Sequence, residues 1–365
     1  MRALKTRILY ENPLPQLCSR QSAFPSLAAL PDGRIAASFA IGQAFESVDS
    51  TTYLSFSGDG GVSWSDPVKM LSFDGEPCPV SDYCKITALP DGRLLALGYA
   101  YPRPDPSLPL GNVTGGVLDD FVFWSSSADG GKNWEAPHRI PCAGVHTEAS
   151  APITVLPDGG WITPIAPFPD WDGNWHGRVC GRALVSRDGG ESWNADAVCT
   201  AFPGDATLSY EQRMCVLSSG TLVCISWNER IDTGERLCNH FTLSRDGGAT
   251  WSEPVSTGVM GQASSVLSLG GERLLALHAV RRDTDRPGVY GCLVDLSHGT
   301  WNVLDRALLW EPETPVLRDP NAPEIFAYLK FGQPSAIRLK NGAVLMTHWF
   351  AENGQYKTAL TEVEL

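Results

Sequence analysis

The stretch Ser57-Gly-Asp-Gly-Gly-Val-Ser-Trp64 recurs three more times along the chain. The copies are Ser127–Trp134, Ser186–Trp193 and Ser244–Trp251, and all four follow the pattern Ser-x-Asp-x-Gly-x-x-Trp. In such a stretch the Asp side chain can accept backbone N–H groups, the glycines permit positive φ, and the Trp can cover the turn. The pattern predicts a tight turn between antiparallel strands, and its repetition indicates a repeat architecture.

A second repeat, out of phase with the first, consists of two apolar strands joined by a glycine turn. Its clearest copies are Pro25–Phe39, Lys85–Tyr99 and Ala151–Ile165. With the weaker copies included, the turns lie about 50 to 70 residues apart, centred on Gly33, Gly92, Gly159, Gly220, Gly271 and Gly342. These hairpins predict an all-β, six-bladed β-propeller with four antiparallel strands in each blade. Because blades bury their faces only against one another, we expect residues 1–365 to form a single domain.

The last blade is incomplete at the C-terminal end, because the chain stops near Val363 without a fourth strand. The strand-like run Arg7–Tyr10 at the other end of the chain could fill that outer position. A blade built from both ends would close the ring and leave no open sheet edge. We therefore predict that the N-terminal strand closes the propeller.

Composition and charge narrow the classes of partner. The formal net charge of −13 disfavours nucleic acid, which needs a basic footprint. No stretch reaches transmembrane length, and the N-terminus lacks the apolar segment of a signal peptide, so we expect a cytoplasmic protein. The ten cysteines lack C-x-x-C spacing and are expected to be reduced, with Cys78 and Cys84 as the candidate exception. We predict no cofactor and no metal site, and the sequence does not indicate an oligomeric state.

The topology of a propeller predicts where functional side chains gather. If strands run from the axis outward, the glycine hairpins and the Ser-x-Asp turns fall on one face of the disc. The beginnings of the innermost strands, and the loops after the second strands, then fall on the opposite face near the axis. We expect the functional site at that axial mouth.

The repeated Ser-x-Asp-x-Gly-x-x-Trp turn resembles the Asp-box of the sialidase (neuraminidase) superfamily, whose catalytic domain is a six-bladed propeller. The resemblance covers nearly the whole chain through the repeats and implies a glycosidase. It implies an acid/base Asp in the loop after the second strand of blade one, where Asp49 lies with Glu46 as the rival. It also implies a glutamate nine residues before a hairpin glycine, and Glu211 stands at that distance from Gly220.

The resemblance further implies three arginines that hold a substrate carboxylate, and a tyrosine nucleophile. Arg20 is the nearest arginine to the first position, where Ala23 stands. Arg230 is the candidate for the second, and Arg281 or the arginine after it for the third. Gln333 stands where the family has its tyrosine. The chain thus departs from an ordinary sialidase at two of these places.

Independently of the resemblance, the predicted topology brings polar and aromatic side chains together at the axial mouth. Carboxylates, tryptophans and arginines in one concavity suit a sugar site, because aromatic faces pack on sugar rings and planar donors bind hydroxyl groups. The further candidates are Tyr83 as a catalytic residue and Glu148, Trp175, Arg178 and Arg213 as substrate-binding residues.

Three functions compete for this site, and all of them take a carbohydrate as partner. The leading hypothesis is a glycoside hydrolase of a terminal or small sugar, acidic sugars included, with Asp49 as general acid and Glu211 either as base or as the residue that activates the nucleophile. The second is a lyase of a uronate-containing glycan with Tyr83 or His146 as the base. The third is a carbohydrate-binding propeller without catalysis.

Overall fold

The computed structural model describes residues 1–320 and 328–365, and its strands form six antiparallel sheets. Blade one contains β2 (Gln21–Ala29), β3 (Ile35–Gly42), β4 (Thr51–Ser57) and β5 (Val68–Lys69). Blade two contains β6 (Val80–Ala88), β7 (Leu94–Pro102), β8 (Phe121–Ser127) and β9 (His138–Arg139). Blade three contains β10 (Thr147–Glu148), β11 (Thr154–Val155), β12 (Trp161–Pro167), β13 (Gly181–Ser186) and β14 (Asn194–Thr200).

The second half of the ring repeats the same plan. Blade four contains β15 (Thr207–Val216), β16 (Leu222–Arg230), β17 (Arg236–Ser244) and β18 (Val255–Ser256). Blade five contains β19 (Ser264–Gly270), β20 (Arg273–Val280), β21 (Gly288–Asp295) and β22 (Asn302–Trp310). Blade six contains β23 (Phe331–Arg338), β24 (Val344–Glu352), β25 (Gln355–Glu364) and β1 (Arg2–Tyr10). The predicted all-β, six-bladed propeller is confirmed.

The N-terminal strand occupies the outer position of blade six. β1 pairs antiparallel with β25, with Arg2 opposite Glu364 and Ile8 opposite Ala359. The amino group of Met1 also donates to Asp305 Oδ2 of blade five at 2.5 Å. The predicted closure of the ring by the N-terminal strand agrees with this sheet.

One detail of blade three differs from the expectations. The innermost strand of blade three is not continuous, because β10 and β11 pair with β12 as two separate pieces. The interruption includes Pro152, which has no backbone N–H to donate to the ladder. All ten cysteines are free thiols, so the candidate pair Cys78 and Cys84 is not bonded. Among the described residues, no helix has the length and apolar character needed to span a bilayer.

The Ser-x-Asp turns connect the third and outermost strands, and hydrogen bonds fix their shape. In the first copy, Asp59 Oδ1 accepts from the Ser57 hydroxyl at 2.8 Å and from the backbone N–H groups of Val62 and Ser63 at 3.0 and 2.9 Å. The Ser57 hydroxyl oxygen accepts in turn from the N–H of Gly61 at 2.8 Å. The Asp side chain therefore replaces backbone partners within its own turn.

The second glycine of each turn lets the turn approach the preceding blade. A Cβ on Gly190, which has φ 94°, would lie 2.5 Å from Trp124 Cζ2 of blade two. A Cβ on Gly61 would lie 2.5 Å from Leu360 of blade six. The hydrophobic core also extends across the boundary between blades, since Leu54 of blade one and Phe123 of blade two belong to one buried cluster. Blades are thus held together face against face.

The innermost strands contain bulges near the axis. The pairing of β2 with β3, of β15 with β16, and of β23 with β24 shifts register at one point in each case. Phe24, Glu211 and Gln333 lie at these points with φ of 58°, 46° and 43°. Non-glycine residues rarely adopt this left-handed conformation, and such strain concentrates at functional sites. The bulges redirect three side chains near the centre of the ring.

Candidate active site

A cavity of 410 Å³ lies at the axial mouth, and all six blades contribute to its lining. The Ser-x-Asp turns are not among the lining residues, which come from the beginnings of innermost strands, the ends of second strands and the loops that follow them. The volume falls in the range typical of small-ligand pockets. This is the location that the topology predicts.

Aromatic rings form a continuous arc around this cavity. Neighbouring ring centroids along the arc lie between 5.0 and 6.5 Å apart. The rings belong, in order, to Trp349, Phe45, Phe24, Tyr83, Tyr99, Phe168, Tyr210 and Trp227. The seven rings from Phe45 to Trp227 line the cavity and supply apolar faces of the kind that pack against sugar rings, whereas Trp349 is fully buried behind them.

Two long loops cover one side of the cavity and are joined to each other. The side chains of Asn112 and Thr114, in the loop after β7, both donate to the carbonyl of Trp171 at 2.8 Å. The loop after β12 also carries Trp175, which is half-buried and packs against Tyr210 and its neighbours. The loops make the site a pocket with a roof on one side.

Glu211 occupies the bulge of β15 and lines the cavity. The indole N–H of Trp227 donates to its Oε2 at 2.8 Å, and the side-chain amide of Gln333 donates to its Oε1 at 2.5 Å. Each carboxylate oxygen therefore receives one N–H donor, and the two donors come from different blades. Such pairing holds the carboxylate in one orientation.

Lys85 lies behind Gln333 and is only 4% exposed. Its Nζ donates to the side-chain carbonyl of Gln333 at 3.0 Å and to the backbone carbonyl of Phe24 at 2.5 Å. Burial lowers the pKa of Lys85 well below its usual value, the charge of Arg213 adds to this, and the nearby Glu211 opposes it. A chain of hydrogen bonds thus runs from Phe24 through Lys85 and Gln333 to Glu211.

Glu148 and Arg213 form a second buried pair of opposite charges beside Glu211. Glu148 accepts from the backbone N–H of Ser150 at 2.9 Å, while Arg213 donates to the Ser150 hydroxyl at 3.0 Å. Burial raises the pKa of Glu148, and the charge of Arg213 partly offsets this. Glu148 lines the cavity, whereas Arg213 lies behind it.

Glu46 is a further carboxyl group at the cavity, and its environment suits a proton donor. It lines the cavity from the loop after β3. Burial raises the pKa of Glu46, and the backbone N–H groups of Gly111 and Leu110 together with Arg103 offset only part of this. A carboxyl group shifted in this direction keeps its proton to higher pH.

Asp49 is not in the cavity. Its side chain is exposed and accepts from the backbone N–H of Gln43 at 3.1 Å, which closes its own loop. The expectation that Asp49 faces Glu211 across one pocket is therefore not met, and the rival Glu46 occupies the position instead. Sequence spacing identifies this loop but does not say which of its acids points inward.

Two of the candidate arginines also lie elsewhere. Arg20 precedes β2 and is exposed. It lies near Tyr10, where burial raises the pKa of the Tyr10 hydroxyl and Arg20 opposes that shift. Arg178 is exposed and pairs with Asp205 at 2.8 Å. Neither side chain is among the lining residues of the cavity. A surface ion pair satisfies Arg178 outside the pocket.

Arg230 and Arg281 line the cavity, whereas the candidate Arg213 is buried and is not among the lining residues. Arg230 already pairs with Asp232 at 2.6 Å. Arg281 is 5% exposed, forms no ion pair with a carboxylate of the described residues, and donates only to the carbonyl of Phe331 at 3.3 Å. Burial lowers the pKa of Arg281 to about 10, and Glu211 opposes the shift. Of the two lining arginines in the described structure, Arg281 is the one without a carboxylate partner.

Tyr83 lines the cavity as a member of the aromatic arc. Burial raises the pKa of its hydroxyl group, and the carboxylates Glu46 and Asp82 add to this. A phenol shifted in this direction is a poor base at neutral pH. Its ring faces are therefore more useful to the site than its proton.

The structure brings together Glu211, Tyr83, Glu148, Trp175, Arg230, Arg281 and Gln333, as the sequence predicts. Their roles stay predictions. Several apolar members of the lining were not predicted from the sequence, among them the aromatic residues Phe24, Phe45, Phe168 and Trp227. The signal for Trp227 is its place near the end of the second strand of blade four.

The fold can be compared with solved structures. A protein of unknown function from Dyadobacter fermentans matches 100% of this chain and 99% of its own, with a TM-score of 0.75 and 19% identity. The intramolecular trans-sialidase from Ruminococcus gnavus matches 94% of both chains, with a TM-score of 0.62 and 12% identity. The fold is that of the sialidases.

Another sialidase-type neighbour gives the same result. The NanB sialidase from Streptococcus pneumoniae has a TM-score of 0.67 and 11% identity, over 98% of this chain and 70% of its own. Neither a scan of protein-family profiles nor a search of curated proteins finds a match to the sequence. At sequence identities of 11 to 19%, the similarity to these structures concerns the fold of the chain.

Proposed function

We propose that this sialidase-type propeller is a glycoside hydrolase that removes a terminal or small sugar in the axial cavity. The observation that carries the proposal is Glu211, a carboxylate on left-handed backbone at the centre of the ring with one N–H donor on each oxygen. Strain and orientation of this kind are typical of a working side chain.

Glu46 is the general acid in this proposal. Burial raises the pKa of this carboxyl group, so it retains a proton that it can give to the departing glycosidic oxygen. Glu211 is the base, because N–H donors from Trp227 and Gln333 hold its carboxylate in one orientation at the cavity. Two carboxyl groups in different environments are what glycoside hydrolysis needs.

Water is the nucleophile in this proposal. The side chain bonded to Glu211 is the amide of Gln333, which cannot attack an anomeric carbon. A water molecule between Glu211 and the sugar would be activated by proton transfer to the carboxylate. The reaction would then invert the configuration at the anomeric carbon.

The substrate class follows from the lining. The aromatic arc offers faces for the C–H side of a sugar ring, and the volume of 410 Å³ suits a terminal residue or a small saccharide. Arg281 would bind a carboxylate or a pair of hydroxyl groups on that sugar. Acidic sugars are therefore included among the candidates.

A panel of aryl glycosides, with the sialic acid derivative included, tests the proposal. The expected result is release of the aryl group from at least one member by the wild-type protein, and loss of release in E211Q. Binding of a sugar without turnover across the panel would overturn hydrolysis. That outcome would favour a carbohydrate-binding propeller, for which the amide at position 333 is the supporting observation.

An eliminating enzyme is the remaining alternative. A lyase would yield an unsaturated product that absorbs in the near ultraviolet. The raised pKa of Tyr83 argues against that residue as the base. No absorbing product is expected from a panel of uronate-containing glycans.

A further inference from the structure

Side chains from three blades that are not neighbours in the ring meet across the axis. Lys85 comes from β6 of blade two, Gln333 from β23 of blade six and Glu211 from β15 of blade four. Lys85 donates to Gln333 at 3.0 Å, and Gln333 donates to Glu211 at 2.5 Å. Glu211 is the only carboxylate of the three residues, and it is the one proposed as the catalytic base.

The direction of this chain is set by Lys85. The amine donates and cannot accept when it is protonated, so the oxygen of the Gln333 amide must face it. The NH₂ end of the same amide must then face Glu211. A flipped amide would put donor against donor at Lys85 and oxygen against oxygen at Glu211. Both contacts would be repulsive, so one orientation is selected.

The burial of Lys85 is unusual unless the amine has a task. The residue is 4% exposed and forms no ion pair with a carboxylate of the described residues. Its contacts are two carbonyl oxygens, those of Phe24 and Gln333. Burial also lowers the pKa of Lys85, and the nearby Glu211 opposes that shift. A lysine placed for general stability would reach solvent or a carboxylate instead.

We propose that Lys85 is a positioning residue for Glu211 and that it acts through the amide of Gln333. Lys85 fixes the amide, and the amide fixes Oε1 of the carboxylate while Trp227 fixes Oε2. The catalytic consequence rests on the proposed function of Glu211 as a base. The positional relationship does not, since it concerns contacts present without a substrate.

A double-mutant cycle tests whether Lys85 acts through Gln333. The variants are K85M, Q333L and the double variant, measured for kcat and KM on the best glycoside of the panel. We expect each single variant to lose about ten- to hundredfold in kcat with KM changed less than about threefold. The double variant should lose no more than Q333L alone. Losses that multiply would overturn the proposal, because Lys85 would then act by another route.

The indole N–H resonance of Trp227 provides a readout without turnover. The protein has twelve tryptophans, so the Trp227 peak in a ¹H–¹⁵N spectrum is assigned by its loss in W227F. We expect K85M and Q333L to shift this peak, since the carboxylate that accepts the indole N–H moves. An unshifted peak in both variants would overturn the proposal. A chain inactive on every glycoside, with the peak shifted, would refute only the catalytic function.

The control is K340M. Lys340 also donates to a backbone carbonyl, that of Pro31 at 2.5 Å, but lies on the hairpin of blade six outside the cavity. The K340M variant should change neither kcat nor the position of the Trp227 indole peak. If K85M does not fold, K85Q replaces it in the same comparison, because glutamine keeps a polar group at the buried position. The same shift in the Trp227 peak is expected of K85Q, and an unchanged peak counts against the proposal.

Discussion

Gln333 donates its side-chain N–H to Glu211 across the axis of the propeller at 2.5 Å, from a blade that is not adjacent in the ring. Both residues lie in β-bulges on left-handed backbone. The contact makes an amide, not a nucleophile, the partner of the central carboxylate. The stereochemistry of the proposed hydrolysis depends on this fact.

The first product released from an active glycoside should have the inverted anomeric configuration. Water is the proposed nucleophile and Glu211 its base, because the side chain bonded to Glu211 is an amide, which cannot attack the sugar. Proton NMR of the fresh product, recorded before mutarotation, gives the answer. A retained configuration would mean that Glu211 itself attacks the sugar.

Substitution of the proposed acid should remove the alkaline limb of the pH–rate profile. Burial raises the pKa of Glu46, so the carboxyl group works when protonated and activity falls as pH rises through that raised value. We expect E46Q to lower kcat by about 10²- to 10⁴-fold and to leave the remaining rate flat on that limb.

D49N is the matched control for E46Q, since Asp49 belongs to the same loop but is exposed outside the cavity. Its kcat should stay within about twofold of the wild type. If D49N abolishes turnover and E46Q does not, the assignment of the acid is reversed.

Two buried histidines should make the fold sensitive to acid. Burial lowers the pKa of His278 and of His348 to about 3, from an ordinary value of 6.5. Between those values the unfolded chain binds more protons than the native one, so the free energy of unfolding falls as pH falls. Each histidine should cost about 2 kcal/mol at pH 5.

Neither ring nitrogen of His348 has a hydrogen-bond partner in the described structure, so H348F removes the titration without removing a hydrogen bond and keeps an aromatic ring beside Trp310. The loss of unfolding free energy between pH 7 and pH 5 should shrink by about 2 kcal/mol in chemical denaturation. H298N changes an exposed histidine and should leave that loss as it is. An H348F protein with the wild-type pH dependence would refute the account.

Two adjacent glycines of one Ser-x-Asp turn should differ in their tolerance of alanine. Both have positive φ, of 73° at Gly189 and 94° at Gly190. A Cβ on Gly189 would meet nothing within 4 Å, whereas one on Gly190 would lie 2.5 Å from Trp124. G189A should cost about 1 kcal/mol and G190A about 1–3 kcal/mol more. Equal losses in denaturant titrations would show that the second glycine is not needed for blade packing.

The sequence was sufficient for the blade count and the topology, because glycine turns mark the inner hairpin of all six blades and Ser-x-Asp turns mark the outer connection of four. The Ser-x-Asp turn predicts the outer hairpin, and the glycine turn, as at Gly92, predicts the inner one. The places where a repeat is missing were also informative. Blade six lacks an outer strand at the C-terminal end, which predicted that the N-terminal strand β1 fills that position. The broken innermost strand of blade three was not predictable from apolar pattern alone, because Pro152 removes a ladder N–H within an otherwise strand-like run.

The site was predictable in its location and in part of its membership. Propeller topology places Glu211 at the axial mouth, and the bulge that turns it inward is a local register shift with no periodic signal. The orientation of loop side chains is harder to predict from sequence. Asp49 and Glu46 lie three residues apart in one loop, and only tertiary contacts decide which one faces the cavity. Phe24 and Phe45 were missed because an apolar residue in or beside a strand is usually assigned to the core.

The central claim is that Glu211 is the base of a glycosidase, and the ratio of kcat between wild type and E211Q tests it most directly. Glutamine preserves the shape of the side chain and removes the proton acceptor. On the glycoside that the wild type hydrolyses best, we expect kcat to fall by about 10²- to 10⁴-fold while the Kd of the sugar changes less than about tenfold. Turnover by E211Q at the wild-type rate would contradict the account.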